Sequence, residues 1–214
     1  MMAHYEQCAA EGCTRRPRRR SRYCTTHYDR IRRNGSPHGR AIRKHELKPW
    51  RDIAAGWIGR NADHPAVVEA CGYLAGLLEP TAGARFLGSE FDRLRSAGVT
   101  GADMLAAVIA LWAWAEATGG RGIDDRCFDV NLGRAVLRCA RQRIVSRSKS
   151  GKPDHKRVTG NHAGALGEEL RLALGALPLV AAQRIVEEAL GPERTRDRIR
   201  EAMTEPFKSA TDTD

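Results

Sequence analysis

The chain has 214 residues, 42% hydrophobic and 6% aromatic, with a formal net charge of +10 and a sequence pI near 9.8. That length holds one sizeable core, or a small module beside a medium domain. The longest apolar run, Met104–Ala115, is too short to span a bilayer and reads as a core helix.

The charge is unevenly placed. Residues 1–50 carry thirteen Lys/Arg and four Asp/Glu, so nine of the ten excess charges lie there. A segment this small and this basic calls for a polyanionic partner, and the competing reading is a solvated basic arm. Arginine supplies most of the charge, with only six lysines in the chain, and arginine suits bidentate contacts to phosphate and guanine. A GC-rich genome produces the same bias.

In chain order, the first signal is Cys8, Cys13, Cys24 and His27, spaced C-x4-C-x10-C-x2-H. Two close ligand pairs separated by a short polar stretch are what a tetrahedral structural zinc site needs. The first pair flanks a turn at Gly12, and the Cys-x2-His step fits the first turn of a helix. The neighbours Thr14, Arg15, Arg16, Pro17, Arg18, Arg19, Arg20, Ser21 and Arg22 are too polar to bury, so a core does not explain these cysteines. Chance spacing and disulfides are the alternatives. One Zn2+ per chain is the expected cofactor. All four positions are filled by protein, so the ion is structural, and so short a segment cannot bury enough surface to fold without it. Tyr23, Tyr28 and Ile31 supply its small core, although the two tyrosines are also able to stack on bases.

The segment Tyr23-Cys24-Thr25-Thr26-His27-Tyr28-Asp29-Arg30-Ile31-Arg32-Arg33-Asn34-Gly35-Ser36-Pro37 resembles a small treble-clef-like zinc module of bacteriophage and actinobacterial proteins. That module carries a Cys-x4-Cys knuckle followed by Cys-x2-His-Tyr-x-Arg-x2-Arg-x-Gly-x-Pro. The likeness covers residues 8–37 only. It implies zinc binding and a nucleic-acid context of phage or mobile-element origin. In that group the module is often joined to an HNH-type endonuclease, and elsewhere to helical domains of unknown role, so the likeness carries no catalysis with it.

The chain divides into a zinc module over 1–35, a polar linker over 36–49 containing Pro37, Gly39 and Pro49, a helical domain over 50–206, and a disordered tail over 207–214. The fold class is mainly α, a small treble-clef-like finger plus an all-α domain. Pro65 opens a helix with Val67, Cys71, Leu74 and Leu78 inward. Ser89 with Asp92, and Thr100 with Asp103, read as capping boxes. The second opens a strong helix that stops at Gly119-Gly120. Asp129 reads as the cap of a helix with Gly133, Leu137, Ala140 and Ile144 inward. Residues 146–162 read as a flexible loop, and helices follow near 164–175, 178–190 and 193–204. Cys71, Cys127 and Cys139 act as small buried hydrophobes. Six cysteines in an Arg-rich chain with no signal peptide point to a reducing, cytoplasmic setting.

Two basic surfaces follow. Arg15, Arg16, Arg18, Arg19, Arg20 and Arg22 lie on a hairpin between the ligand pairs, with Arg30, Arg32 and Arg33 on the helix after His27. Arg134, Arg138 and Arg141 step at i, i+4 and i+7 and share a helix face, extended by Arg143, Arg147, Lys149, Lys152, Lys156 and Arg157. That stripe reads equally as a phosphate track or as a solvated face. The expected partner is nucleic acid, DNA first, with a protein partner for the helical domain as a further option and no membrane. Nuclease chemistry rests on Asp154-His155 and Asn161-His162, whose gap is too short for an HNH hairpin and helix between them. A helix-turn-helix over 89–115 fails because its second helix is too apolar to read bases. The leading expectation is a non-enzymatic nucleic-acid-binding protein. A divergent nuclease and a module binding an acidic protein are the rivals.

Overall fold

The computed structural model describes residues 7–80, 87–120, 123–141, 144–147, 153–155 and 158–191, with backbone alone at 144–147 and 153–155. Among these the chain is mainly α. The elements are α1 (Thr25–Asn34), α2 (Lys44–Arg60), α3 (Pro65–Gly76), α4 (Gly88–Ser96), α5 (Gly101–Thr118), α6 (Asp125–Leu137), β1 (Ile144–Arg147), β2 (Pro153–His155), α7 (Gly160–Leu174) and α8 (Leu177–Leu190). The described residues fall into two compact units. One lies within Met1–Ile42, Gly76–Val99 and Gly122–Ala173, and the other within Arg43–Ala75, Thr100–Arg121 and Leu174–Asp214.

In the second unit α5 packs against α2 and α8. Its Met104, Leu105, Val108, Ile109 and Leu111 are fully buried, each stabilising the fold by about 1.5–3 kcal/mol relative to exposure. The start of α5 is fixed by the capping box read from sequence. The Thr100 hydroxyl accepts from the Asp103 N–H at 3.2 Å, and the Asp103 carboxylate accepts from the Thr100 N–H at 3.0 Å. Gly101 lies so close to the Cys71 carbonyl that a Cβ there would collide with α3. The end of α5 is the left-handed Gly119.

The first unit places α1, α4, α6 and α7 together with the N-terminal segment. Helix α6 begins five residues earlier than sequence predicts, its cap at 124 and not 129. Asp124 is its cap, accepting from the Cys127 N–H at 2.8 Å. Asp129 instead lies inside the helix, buried, and pairs with Arg171 of α7 at 3.0 Å. The α6–α7 contact is made at glycines. A Cβ on Gly133 would strike the Ala163 carbonyl, and one on Gly167 the Asp129 carbonyl. From α4, Arg93 pairs with Glu90 at 2.9 Å and donates to the carbonyls of Leu137 at 2.6 Å and Arg141 at 3.0 Å. Its bond to Leu137 satisfies an orphan acceptor at the C-terminal end of α6, and its bond to Arg141 holds the segment that follows.

Several expectations change. Residues 44–49 are the first turns of α2, not linker, and Ile42 is buried. Pro49 removes the bond to the His45 carbonyl, but so near the N-terminal end the helix absorbs the loss. The Ser89–Asp92 box does not form. Ser89 lies inside α4, whose cap residue Leu87 makes no side-chain bond, and Asp92 pairs with Arg95. The loop expected over 146–162 overlaps the antiparallel β1–β2 pair, in which Ile144 is opposite His155, and includes the first turn of α7. Strands of four and three residues are too short to leave an alternating pattern. The expected helix at 193–204 and the tail at 207–214 lie outside the described residues. No single described helix is long and apolar enough to cross a membrane.

Candidate metal centre

Backbone hydrogen bonds shape the N-terminal segment. The Cys13 N–H donates to the Ala10 carbonyl at 3.1 Å, closing a turn over Gly12, whose φ of +69° suits a residue with no Cβ. The Cys8 N–H reaches the Arg15 carbonyl at 2.9 Å and the Ala9 N–H the Arg22 carbonyl at 2.8 Å. These bonds bring Cys8 and Cys13 against Cys24, the extended residue that caps α1. His27 is then in the first turn of α1. No strand is present among the described residues of this segment, so the expected hairpin is a set of turns. Arg18 and Ser21 close one of them, with Arg20 in the left-handed region at φ +64°.

The result gathers the four predicted ligands. The donor atoms of Cys8, Cys13, Cys24 and His27 all lie within 4.8 Å of one another. His27 Nδ1 is 3.4 Å from both Cys8 Sγ and Cys24 Sγ, and Cys13 Sγ is 4.0 Å from Cys24 Sγ. Thiolates held at about 2.3 Å around one tetrahedral ion stand about 3.8 Å apart. A disulfide needs about 2.05 Å. The distances therefore fit a shared ion and exclude a bridge between Cys13 and Cys24. Cys8 and Cys24 are buried with Ala10, and Tyr23 packs against them, as the sequence predicts for its ring.

The thiols are not equivalent. Burial opposes ionisation of Cys8, but the N–H groups of Cys24 and Ala10, with His27 and Cys13, outweigh it and lower its pKa to about 6. At Cys13 a bond near Arg15 favours the thiolate, yet desolvation and the two neighbouring sulfurs prevail and raise the pKa. Outside the donors, the rings of His27 and His38 are 5.5 Å apart.

Helix α1 is held at both ends. Its N-terminal end carries Cys24 and His27. Its C-terminal end docks on α6 and α7 within the same unit. Gly35 ends the helix at φ +83°, and a Cβ there would lie 2.7 Å from the Arg126 carbonyl. Gly160, at the start of α7, abuts the carbonyls of Arg32 and Arg33. Asn131 of α6 is buried. It accepts from the Ile42 N–H at 2.9 Å and donates to the carbonyls of Arg40 at 3.0 Å and Cys127 at 2.9 Å.

The predicted basic residues separate into two kinds. Arg15, Arg16, Arg18, Arg19, Arg20, Arg22, Arg30, Arg32 and Arg33 are all exposed on the metal-bearing segment. Arg15 donates to the Thr26 hydroxyl at 3.0 Å. Arg18 lies over the Tyr28 ring at 4.8 Å and Arg22 over the Tyr23 ring at 5.1 Å. The second stripe does not survive as drawn. Helix α6 ends at Leu137, so Arg141 is beyond it. Arg134 donates to the Asn34 side chain at 3.1 Å and to the Arg33 carbonyl, and Arg138 to the Ile42 carbonyl at 2.8 Å. Both are half-buried, and burial pulls their pKa values below the usual arginine range. These two arginines fasten the N-terminal segment to α6. Their side chains carried no sequence signal for that role, because a solvated stripe and a clamp share the same spacing. The side chains of Arg143, Arg147, Lys149, Lys152, Lys156 and Arg157 lie outside the described set.

Of the nuclease candidates, His155 closes β2, while Asn161 and His162 are exposed in the first turn of α7. His155 lies in the second strand of the β1–β2 pair, so that pair does not lie between the two histidines. No family model matches the chain, and no curated protein or solved structure is significantly similar to it.

Proposed function

We propose that this protein is a zinc-dependent, non-enzymatic nucleic-acid-binding protein, with DNA the favoured ligand. Three thiols and one imidazole are the donor set of a structural zinc site, and the donor spacing suits a tetrahedral ion. The observation that carries the reading is the exposure of nine arginines on the same short segment that the metal organises. Guanidinium groups in fixed positions release counterions from a phosphate backbone, and that release drives association. A phage or mobile-element origin belongs to the same reading, through the resemblance alone.

The test is titration of fluorescent duplex and single-stranded DNA and RNA with zinc-loaded protein at 50–200 mM salt. Four to six phosphate contacts give an affinity loss of roughly two to three decades across that range. Deletion of residues 1–40 abolishes binding on this reading. Unchanged affinity after the deletion transfers the role to the helices or to a protein partner. A pulldown that survives nuclease treatment then favours the module that binds an acidic protein.

The order β1, β2, α7 with His155 and His162 nearby keeps a nuclease as the second reading. On our reading pure protein with magnesium or manganese leaves supercoiled plasmid intact. Nicking that disappears in His155→Ala reverses the choice.

A further inference from the structure

We infer that the segment grips duplex DNA by tracking the phosphates of one strand with a single row of groups along α1, and does so without reading base sequence. The inference rests on the nucleic-acid reading above and makes it narrower.

The row follows from helix geometry. Thr26, Arg30 and Arg33 are spaced i, i+4 and i+7, and all three are exposed. At 1.5 Å per residue, Arg30 lies about 6 Å beyond Thr26 along the axis and Arg33 about 4.5 Å further. Arg15 is drawn onto the same line by its bond to the Thr26 hydroxyl. Asp29, the one acid on α1, stands three residues after Thr26 and four before Arg33, so it flanks the row and leaves the sum of Arg15, Arg30 and Arg33 with it positive. The row has a fixed orientation because the metal ligands hold one end of α1 and the docking of Gly35 and Asn34 on α6 holds the other. One DNA strand presents a phosphate every about 3.4 Å of helix axis, so three long guanidinium arms on this line meet phosphates close together in one strand.

On the same surface, the groups that single-strand stacking and adenine reading use are engaged within the protein. Single-strand binding uses bare aromatic faces on which bases stack. Here Tyr28 and Tyr23 are covered by Arg18 and Arg22. Base reading on adenine uses a free amide. The Asn34 amide instead donates to the Gly39 carbonyl at 2.9 Å and accepts from Arg134. The exposed arginines also suit guanine in the major groove, but guanidinium groups spaced along one helix face match the phosphates of one strand, and phosphate contacts position a protein without specifying sequence.

The experiment is fluorescence anisotropy of zinc-loaded full-length protein on two unrelated 20-base-pair duplexes and one 20-nucleotide single strand, from 50 to 200 mM salt. The two duplexes are expected to bind within about threefold of each other, and more tightly than the single strand. R30A/R33A is expected to weaken both duplexes equally and to lower the salt slope by about 1.8, at 0.9 per contact. R32A, exposed but off the row, is expected to change the slope by less than half of that. R30Q/R33Q repeats the test with side-chain bulk retained, and zinc content verifies the fold of each variant. A preference of a hundredfold for one duplex, tighter binding to the single strand, or an unchanged slope in both double variants overturns the inference while leaving nucleic-acid binding standing. Wild-type protein that binds none of the three overturns both.

Discussion

Arg134 of α6 reaches across to α1 and grips it at two points, the Asn34 side-chain oxygen at 3.1 Å and the Arg33 carbonyl. One guanidinium thus serves as the C-terminal anchor of the helix whose N-terminal end carries Cys24 and His27. The candidate metal centre is therefore built into a larger helical unit.

Removing that anchor loosens α1. Arg134→Ala deletes two hydrogen bonds from a charged donor and leaves the Asn34 side chain with one partner fewer. A loss of about 2–4 kcal/mol is expected, read as a lower urea midpoint with an unchanged m-value. Equal stability of variant and wild type eliminates the anchor.

Two left-handed glycines separate conformational strain from crowding. Gly12→Ala at φ +69° meets open space, so only the left-handed penalty applies, about 1–2 kcal/mol. Gly35→Ala at φ +83° adds a Cβ 2.7 Å from the Arg126 carbonyl, for a total of about 3 kcal/mol or more. Thermal unfolding of both variants with zinc content checked measures the difference. A reversed order of the two costs contradicts the docking of α1 on α6.

Metal removal is expected to be felt beyond the finger. Zinc is expected at one per chain by metal analysis, and Cys24→Ser abolishes it. Because α1 is clamped to α6, amide hydrogen exchange within Cys127–Leu137 is expected to quicken in Cys24→Ser or after chelation. Exchange confined to residues 8–34 returns the finger to the tethered module expected from sequence. Zinc loading also releases protons, since Cys13 is held as a thiol in the metal-free site, so affinity is expected to fall as pH drops.

Asn131→Asp tests the buried amide. The Nδ2 donor faces the carbonyls of Arg40 and Cys127, and a carboxylate oxygen there offers no hydrogen to either. Destabilisation of about 3 kcal/mol is expected at neutral pH by denaturant titration. A neutral outcome shows that the segment 40–42 is held well enough without the Asn131 amide, by contacts such as Arg138 to the Ile42 carbonyl and Cys127 to the Arg40 carbonyl.

Cysteine and histidine spacing, the Thr100–Asp103 cap and the Gly119 stop were legible in the sequence, because each is a local pattern whose chemistry lies within a few residues or within one ligand set. The mainly α class followed from apolar periodicity for the same reason. Other features depended on partners far along the chain. Asp129 carries the type of a cap residue but meets Arg171, 42 positions later. Arg134 and Arg138 keep the spacing of a solvated stripe but meet backbone carbonyls 101 and 96 positions earlier. Residues 36–49 have the composition of a linker, yet Ile42 is buried through Asn131, 89 positions away. Composition and period fix which groups are present and which face of a helix carries them. Whether such a group meets solvent or a carbonyl is decided only when distant segments are packed together.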